Sequence, residues 1–179
     1  MQINPNLTTI TITYNNVIGL EKTLKSIFCA ECKPQEIIVV DGGSTDGSIE
    51  LIESYKERLP QLNFSSQSDD GIYDALNIGK RQVRTPLVHY LNAGDILFGN
   101  AYKDINDPCL LPVVFVDEKG IECGTDRVKL MGTAYNHQGI VVSSGHREFD
   151  LTYSIASDYK MLLQEFPGGL RALKASNSG

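Results

Sequence analysis

With 179 residues, 41% of them hydrophobic and 21% charged, the chain has the makeup of one soluble globular domain. Its formal net charge of -6 argues against a general nucleic-acid binder, which would carry a basic patch. No apolar run approaches the ~20 residues that cross a bilayer, and the opening MQINPNLTTITITYNN lacks the basic, apolar and small-residue sections of an export signal, so a cytoplasmic location is expected.

Residues 8–14, TTITITY, are rich in β-branched side chains and read as a strand ending in the polar step Tyr14-Asn15-Asn16. Leu20, Leu24, Ile27 and Phe28 then recur at helical spacing, which predicts an amphipathic helix from Val17 to about Cys29. Pro34 separates it from EIIVVD, a continuous apolar run suited to a central strand buried on both faces. The loop GGSTDGS follows. Glycine gives up the most backbone freedom on folding, so this loop either turns tightly or lets something approach the main chain.

Ile49, Ile52, Tyr55 and Leu59 form a second helical stripe, closed by Pro60, and LNFSSQ is a weaker strand. Ile72, Ala75, Leu76, Gly79 and Val83 mark a third helix, stopped before Pro86. PLVHYL is a fourth strand, with His89 in a structural role, and it runs into Asn92-Ala93-Gly94-Asp95. Strands and helices alternating in this way imply a largely parallel sheet covered by helices. From Gly99 the pattern loosens into short apolar runs, LPVVFV and HQGIVVSS among them, before a final helix from about Ile155 to Phe166. The expected organisation is one domain over 1–166, in two parts at about 1–98 and about 99–166, with a loose tail at 167–179. Cys29 and Cys32 form a C-x-x-C pair, but Cys109 and Cys123 are too far apart to supply the second pair of a metal site. Reduced structural thiols are expected.

In open parallel sheets, ligands bind beyond the carboxyl ends of the strands. Four polar strand ends fall there: Tyr14-Asn15-Asn16, Asp41-Gly42-Gly43, the Ser68-Asp69-Asp70-Gly71 region, and Asn92-Ala93-Gly94-Asp95. Clustered carboxylates repel unless donors or a cation lie between them. Asp41 could accept hydrogen bonds from an N–H edge such as a nucleobase, or merely cap its turn. Asp95 could face a divalent metal, which prefers hard oxygen ligands, or be an ordinary turn residue. Asp46 suits a helix start, where a carboxylate meets the positive end of the macrodipole.

TITYNN, VVDGGSTDGS, DDGIYDALNIGK, HYLNAGD and IASDYKMLL stand in the order found in bacterial family-2 glycosyltransferases of the GT-A fold. The chain resembles especially those that build O-antigen and related surface polysaccharides. The resemblance implies a nucleotide-diphospho-sugar transferase-like α/β fold, with a mostly parallel central sheet flanked by helices and a smaller mixed C-terminal part. It implies inverting transfer of a sugar from a nucleotide-sugar donor, most commonly a UDP-sugar, to a hydroxyl of a glycan or lipid-linked acceptor, with Mg²⁺ or Mn²⁺ as cofactor. Thr13, Tyr14 and Asn15 look like the family's first nucleotide-contacting segment, Asp41 like its base-recognising carboxylate, and Asp70 like the acidic residue beside the nucleotide. Asn92 stands in the segment resembling the D-x-D-type motif, able to orient a metal-bound water or a ribose hydroxyl, and Asp95 ends it as the metal-facing carboxylate. Asp158 resembles the catalytic base, although SDYK alone also fits a helix-surface aspartate. His137 matches a place where some relatives put a ligand-side histidine, and alone it equally fits a core or rim position.

Two departures are visible. The segment at 92–95 has one carboxylate where many relatives have two or more, and Ser157 stands where relatives often carry an acid. Together with the short stretch after Phe166, they leave a second expectation: a catalytically weak nucleotide-sugar-binding module with an incomplete acceptor site. The basic run at Lys80, Arg81 and Arg84 suits a solvated helix face, or attraction to phosphate or anionic lipid. A lipid-linked acceptor would suit peripheral association with the inner face of the membrane. A dinucleotide fold is disfavoured, because the turn after the first strand lacks the G-x-G-x-x-G spacing.

Overall fold

The computed structural model describes residues 2–116, 122–126, 137–153, 155–166 and 174–175. Strand β1 (Gln2–Thr13), helix α1 (Val17–Cys29), β2 (Cys32–Asp41), α2 (Ser48–Lys56), β3 (Leu62–Ser66), α3 (Ile72–Lys80) and β4 (Leu87–Tyr90) form the expected alternating series. Then come β5 (Cys109–Leu110), the antiparallel pair β6 (Val113–Val116) and β7 (Glu122–Asp126), a 3-10 turn at His137–Gly139, β8 (Ile140–Ser143), α4 (Ser157–Glu165) and β9 (Lys174–Ala175).

The main sheet has the order β3-β2-β1-β4-β8-β5-β9. The first four strands are mutually parallel, β8 runs against both β4 and β5, and β9 is parallel to β5. This is the mostly parallel α/β sheet anticipated, with its mixed part at the β8 end. Of the tail at 167–179, expected to be loose, Lys174–Ala175 pairs with β5; the remainder lies outside the described residues.

Both faces of the sheet are covered, which explains why EIIVVD is apolar throughout rather than alternating. Ile37 and Val39 join Leu20, Leu24 and Ile27 of α1 and Ile52 and Tyr55 of α2 in one core. Ile38 and Val40 point the other way, into a second core with Ala75 and Leu76 of α3 and Met161 and Leu162 of α4. The period-2 alternation of a strand thus divides one sequence between two helical layers. Gly79 sets the distance of α3 from the sheet: a Cβ there would lie 2.7 Å from Cγ2 of Ile10 and 3.3 Å from Cγ2 of Val40.

Pro34 does not separate α1 from β2 as expected; it lies inside β2. The β1–β2 register shifts between Asn4 and Thr8, just where Asn4 faces Pro34, and β3 pairs with β2 only from Ile37 onward. A residue without an N–H is tolerated at such an irregular, half-paired place. Among the described residues, no helix is long and apolar enough to cross a membrane, and Cys29, Cys32 and Cys109 are free thiols.

Candidate active site

Because β1 to β4 run in one direction, their carboxyl ends share one edge of the sheet. The reversed β8 brings its amino end to the same edge, so the turn at His137–Gly139 joins the loops after β1, β2, β3 and β4 there.

Asp41 ends β2 and is 0% exposed. Its Oδ2 accepts hydrogen bonds from the Gly43 amide (3.0 Å), the Ser44 amide (2.9 Å) and the Ser66 hydroxyl (2.6 Å). Asp41 therefore does cap its own turn, but with one oxygen. Its Oδ1 is buried without a hydrogen-bond partner among the described residues, as are Thr13 Oγ1 and Asn92 Oδ1. Thr13 lies directly across from Asp41 in the β1–β2 register. Leaving a buried polar atom unpaired costs about 1–3 kcal/mol, so orphans gathered at a strand edge suit a ligand that supplies donors.

Tyr14 is 67% exposed, and Asn15 takes a left-handed backbone (φ 46). Asn15 knits two loops, its amide donating to Ser44 Oγ (2.8 Å) and its Oδ1 accepting from the Thr45 amide (2.9 Å). Asp46 does sit at a helix start, and it serves two helices. Its Oδ1 accepts from the Ser48 hydroxyl and amide, and its Oδ2 accepts from the Val17 amide (2.8 Å). The Ser48 hydroxyl is the main cause holding its carboxyl below the usual range.

Around the β3 loop, Asp70 is exposed, with its own amide donating to Asp74 (3.2 Å). The neighbouring Asp69 is the one turned toward the β2 loop: a Cβ on Gly42 would lie 3.1 Å from Asp69 Oδ2 and 3.1 Å from Tyr14 Cδ2. Asp69 Oδ1 accepts from the Gly71 amide (2.9 Å), and Gly71 supplies the positive φ of 107 that begins α3.

The loop carrying Asn92 and Asp95 is held by α1. Asn16 caps that helix through Gly19 (3.0 Å) and donates to the Ala93 carbonyl (3.2 Å). One turn further on, the Thr23 hydroxyl accepts from the Gly94 amide (3.0 Å) and points its proton at the Asp95 carbonyl (2.7 Å), with the Asn92 carbonyl at 3.2 Å. The Ser26 hydroxyl accepts from the Leu97 amide (3.0 Å). Asp95 Oδ2 itself accepts from the side-chain amide of Gln138. The side chain of His137 lies outside the described residues. Among those residues no three His, Cys, Asp or Glu side chains form a metal cage.

Asp158 occupies the first turn of α4 and is half-buried; its Oδ1 accepts from the Tyr73 hydroxyl (3.0 Å). Tyr73 lies in the first turn of α3, directly after the Asp69-Asp70-Gly71 turn, so Asp158 is tied to the same edge from α4, on the face of the sheet that α3 also covers. Burial first, and then the Asp158 carboxylate, push the Tyr73 phenol up, which keeps it a donor. Lys160 pairs with Asp150 and anchors the preceding loop to α4. Arg81 of the basic run is engaged in a two-pronged bond with Glu148 (2.9 and 2.8 Å), in keeping with a solvated face.

The structure thus gathers Thr13, Asn15, Asp41, Asn92, Asp95 and, through Tyr73, Asp158 on one edge, and leaves Asp70 facing solvent. Sequence reasoning missed Thr23, Tyr73 and Gln138, and within the Ser68-Asp69-Asp70-Gly71 region it chose Asp70 over Asp69. A threonine in the buried helical stripe was the one signal that could have flagged Thr23.

Comparison with known proteins agrees with this architecture. Residues 8–105 match the model for glycosyl transferase family 2. A validoxylamine A glucosyltransferase of Streptomyces hygroscopicus subsp. limoneus is 33% identical over 102 residues, which are 55% of this chain and 22% of that protein. A PGL/p-HBAD biosynthesis glycosyltransferase of Mycobacterium bovis (strain BCG / Pasteur 1173P2) is 32% identical over 95 residues, 52% of this chain and 37% of that one. The match to an uncharacterized glycosyltransferase of Mycobacterium tuberculosis covers 36% of its length, so the chain aligns with well under half of these curated relatives. Among solved structures, the mannosyltransferase PcManGT from Pyrobaculum calidifontis in complex with GDP-Man and Mn²⁺ is 27% identical with a TM-score of 0.52, over 63% of this chain and 36% of that one. S. aureus TarS 1-349 in complex with UDP superposes with a TM-score of 0.66 at 18% identity, over 87% of this chain and 53% of that one, a likeness of fold alone. The sheet, its flanking helices and these neighbours are those of the GT-A fold. With the family model matching more than half of its residues, the chain belongs to glycosyltransferase family 2.

Proposed function

We propose that the protein binds a nucleotide-sugar, most simply a UDP-sugar, along the loop edge and transfers its sugar with inversion to a hydroxyl of a glycan or lipid-linked acceptor. The setting that suits this is cell-surface polysaccharide biosynthesis of the O-antigen type, at the inner face of the membrane. The observation that carries the proposal is the presence of two differently held carboxylates on the loops after β2 and β4, one on each side of β1. Asp41 keeps a buried oxygen without a partner beside Thr13, and Asp95 is fixed by Thr23 and Gln138.

In this reading Asp41 Oδ1 accepts from an N–H of the base, with Thr13, Tyr14 and Asn15 lining the nucleoside. Asn92 faces the ribose or a metal-bound water, and Asp70 borders the nucleotide from the β3 loop. Asp95 suits a divalent ion, because Mg²⁺ is commonly held by one or two carboxylates plus substrate phosphates and water rather than by an all-protein cage; His137 is the candidate second ligand. Mg²⁺ or Mn²⁺ bound there would supply Lewis-acid stabilisation of the departing diphosphate. Asp158 takes the proton of the acceptor hydroxyl as its oxygen bonds to the anomeric carbon and the bond to the diphosphate breaks. Tyr73 orients that carboxylate.

Incubation with a panel of UDP- and GDP-sugars and Mn²⁺, with nucleoside diphosphate release and product anomeric configuration followed by NMR, tests the proposal. Nucleotide binding without release or transfer from any donor would defeat it. The single carboxylate at 92–95 favours the second reading, a nucleotide-sugar-binding module. Replacing Asp158 with Asn separates them: turnover lost with donor affinity kept supports catalysis, and an already inert parent supports the module.

A further inference from the structure

We propose that His89 is a positioning residue which, through Gln138, fixes the carboxylate of Asp95 at the donor edge; this rests on Asp95 facing the diphosphate and its cation. His89 is 2% exposed within β4, far from any solvent role. Its Nε2 lies 2.6 Å from the Gln138 carbonyl, and its Nδ1 lies 2.7 Å from the Tyr102 hydroxyl. A carbonyl oxygen can only accept, so Nε2 carries the proton. The Tyr102 oxygen already accepts from Thr9 Oγ1 (2.8 Å), which turns its own proton toward Nδ1.

The bonds therefore run in one direction, from Thr9 to Tyr102 to His89 to the Gln138 backbone, with Thr9 and Tyr102 both 0% exposed. The turn is pinned from the other side as well. The Leu111 amide donates to the Gly139 carbonyl (2.7 Å), and a Cβ on Gly139 would lie 2.5 Å from Val113 Cγ2. With its main chain clamped twice, Gln138 aims its side chain at Asp95. A carboxylate only accepts, so the NH₂ end of the amide faces it.

The choice of an amide has chemical content. A lysine or arginine in this place would also hold the carboxylate, but it would cancel the charge that a divalent ion needs. Gln138 orients Asp95 through a hydrogen bond to an ionised group, the stronger class of such bonds, and leaves the negative charge intact.

The test uses the whole chain with Gln138→Met, which keeps length but removes the donor, His89→Phe, and His89→Gln, which returns an N–H near the Nε2 position. Asp95→Asn is the reference. Without ligand, the Gln138 side-chain amide resonances should move in Asp95→Asn and His89→Phe and return toward wild type in His89→Gln. With UDP or GDP present, Mn²⁺ affinity followed by electron paramagnetic resonance should weaken about tenfold in Gln138→Met and His89→Phe, the size of one hydrogen bond to a charged group. His89→Gln should restore most of it. Should His89→Phe fail to fold, Gln138→Met and His89→Gln carry the test. If Asp95→Asn weakens Mn²⁺ binding while Gln138→Met leaves it unchanged, or if the Gln138 resonances stay in place in His89→Phe, the positioning role is overturned and the reading of Asp95 stands. If Asp95→Asn itself changes nothing, both fall.

Discussion

Replacing Thr23 with Val tests whether α1 holds the loop that carries Asp95. The side chain is 0% exposed and valine has nearly its shape, so packing is preserved and only the hydroxyl is lost. That hydroxyl accepts from the Gly94 amide at 3.0 Å and has one proton, best placed for the Asp95 carbonyl at 2.7 Å. The carbonyls of Asn92 and Gly19, both at 3.2 Å, compete for the same proton and add little. One accepted and one donated bond disappear, each contributing about 1 kcal/mol net, and the part-buried Gly94 amide is left unpaired, so the loss is roughly 2–3 kcal/mol. For a chain of this size each kcal/mol moves the melting midpoint by about 2–4 °C, so a fall of roughly 5–10 °C is expected. Thermal and urea unfolding followed by circular dichroism measure it, and amide exchange at Gly94 should accelerate in parallel. Thr23→Ser, which keeps the hydroxyl, should recover more than half of the loss. A Thr23→Val protein melting within about one degree of wild type, or Thr23→Ser falling as far as the valine variant, would refute the anchoring role.

Asp41→Asn should leave the fold standing, because a carbamoyl oxygen can still accept from Gly43, Ser44 and Ser66, at a cost of about 1–2 kcal/mol. Its NH₂ replaces the acceptor at Oδ1, so affinity for UDP or GDP measured by calorimetry should fall at least about tenfold, or 1.4 kcal/mol; unchanged affinity would remove Asp41 from base recognition. Gly79→Ala gains about 1 kcal/mol of helix propensity but forces a methyl within 2.7 Å of the fully buried Ile10. Overpacking of that kind costs about 1–3 kcal/mol, so a net loss in urea unfolding is expected. For His146, burial is the main cause that pushes the imidazole below its ordinary value, with the Arg147 carbonyl opposing. The unfolded chain then takes up the proton first, so its contribution is complete above about pH 6.5 and is lost progressively as pH falls below that. Urea midpoints at about pH 7.5 and 5.5 should differ less in His146→Gln than in wild type, and an equal difference would contradict the assignment.

Much of the architecture from β1 to β4 is legible in the residues because local and global preferences coincide there. The boundaries of α1 follow from an asparagine cap at Asn16 and a stripe at Leu20, Leu24 and Ile27. β2 was readable as a doubly buried strand because no polar residue interrupts Ile37 to Val40. The direction of β8 was not readable, since IVVS is short and apolar in either orientation and only its partners decide. Asp69 and Asp70 are chemically identical neighbours, and the positive φ at Gly71, with the turn it closes, determines which one faces Gly42. The contact of Gln138 with Asp95 spans 43 positions and carries no local pattern. Pro34 misled because its meaning depends on whether an adjacent strand requires its missing N–H, a property of the pairing rather than of the residue.

The reversed course of β8 makes the two flanks of this strand unequal in their tolerance of change. An insertion or deletion just ahead of His137 is felt at once by Gln138 and so by Asp95, whereas one just after Ser143 emerges at the far rim, where the Ser144 amide meets the Pro86 carbonyl. A change on the first flank should therefore disturb the place of Asp95, whereas one on the second should be felt through the buried His146 and Phe149, away from that carboxylate.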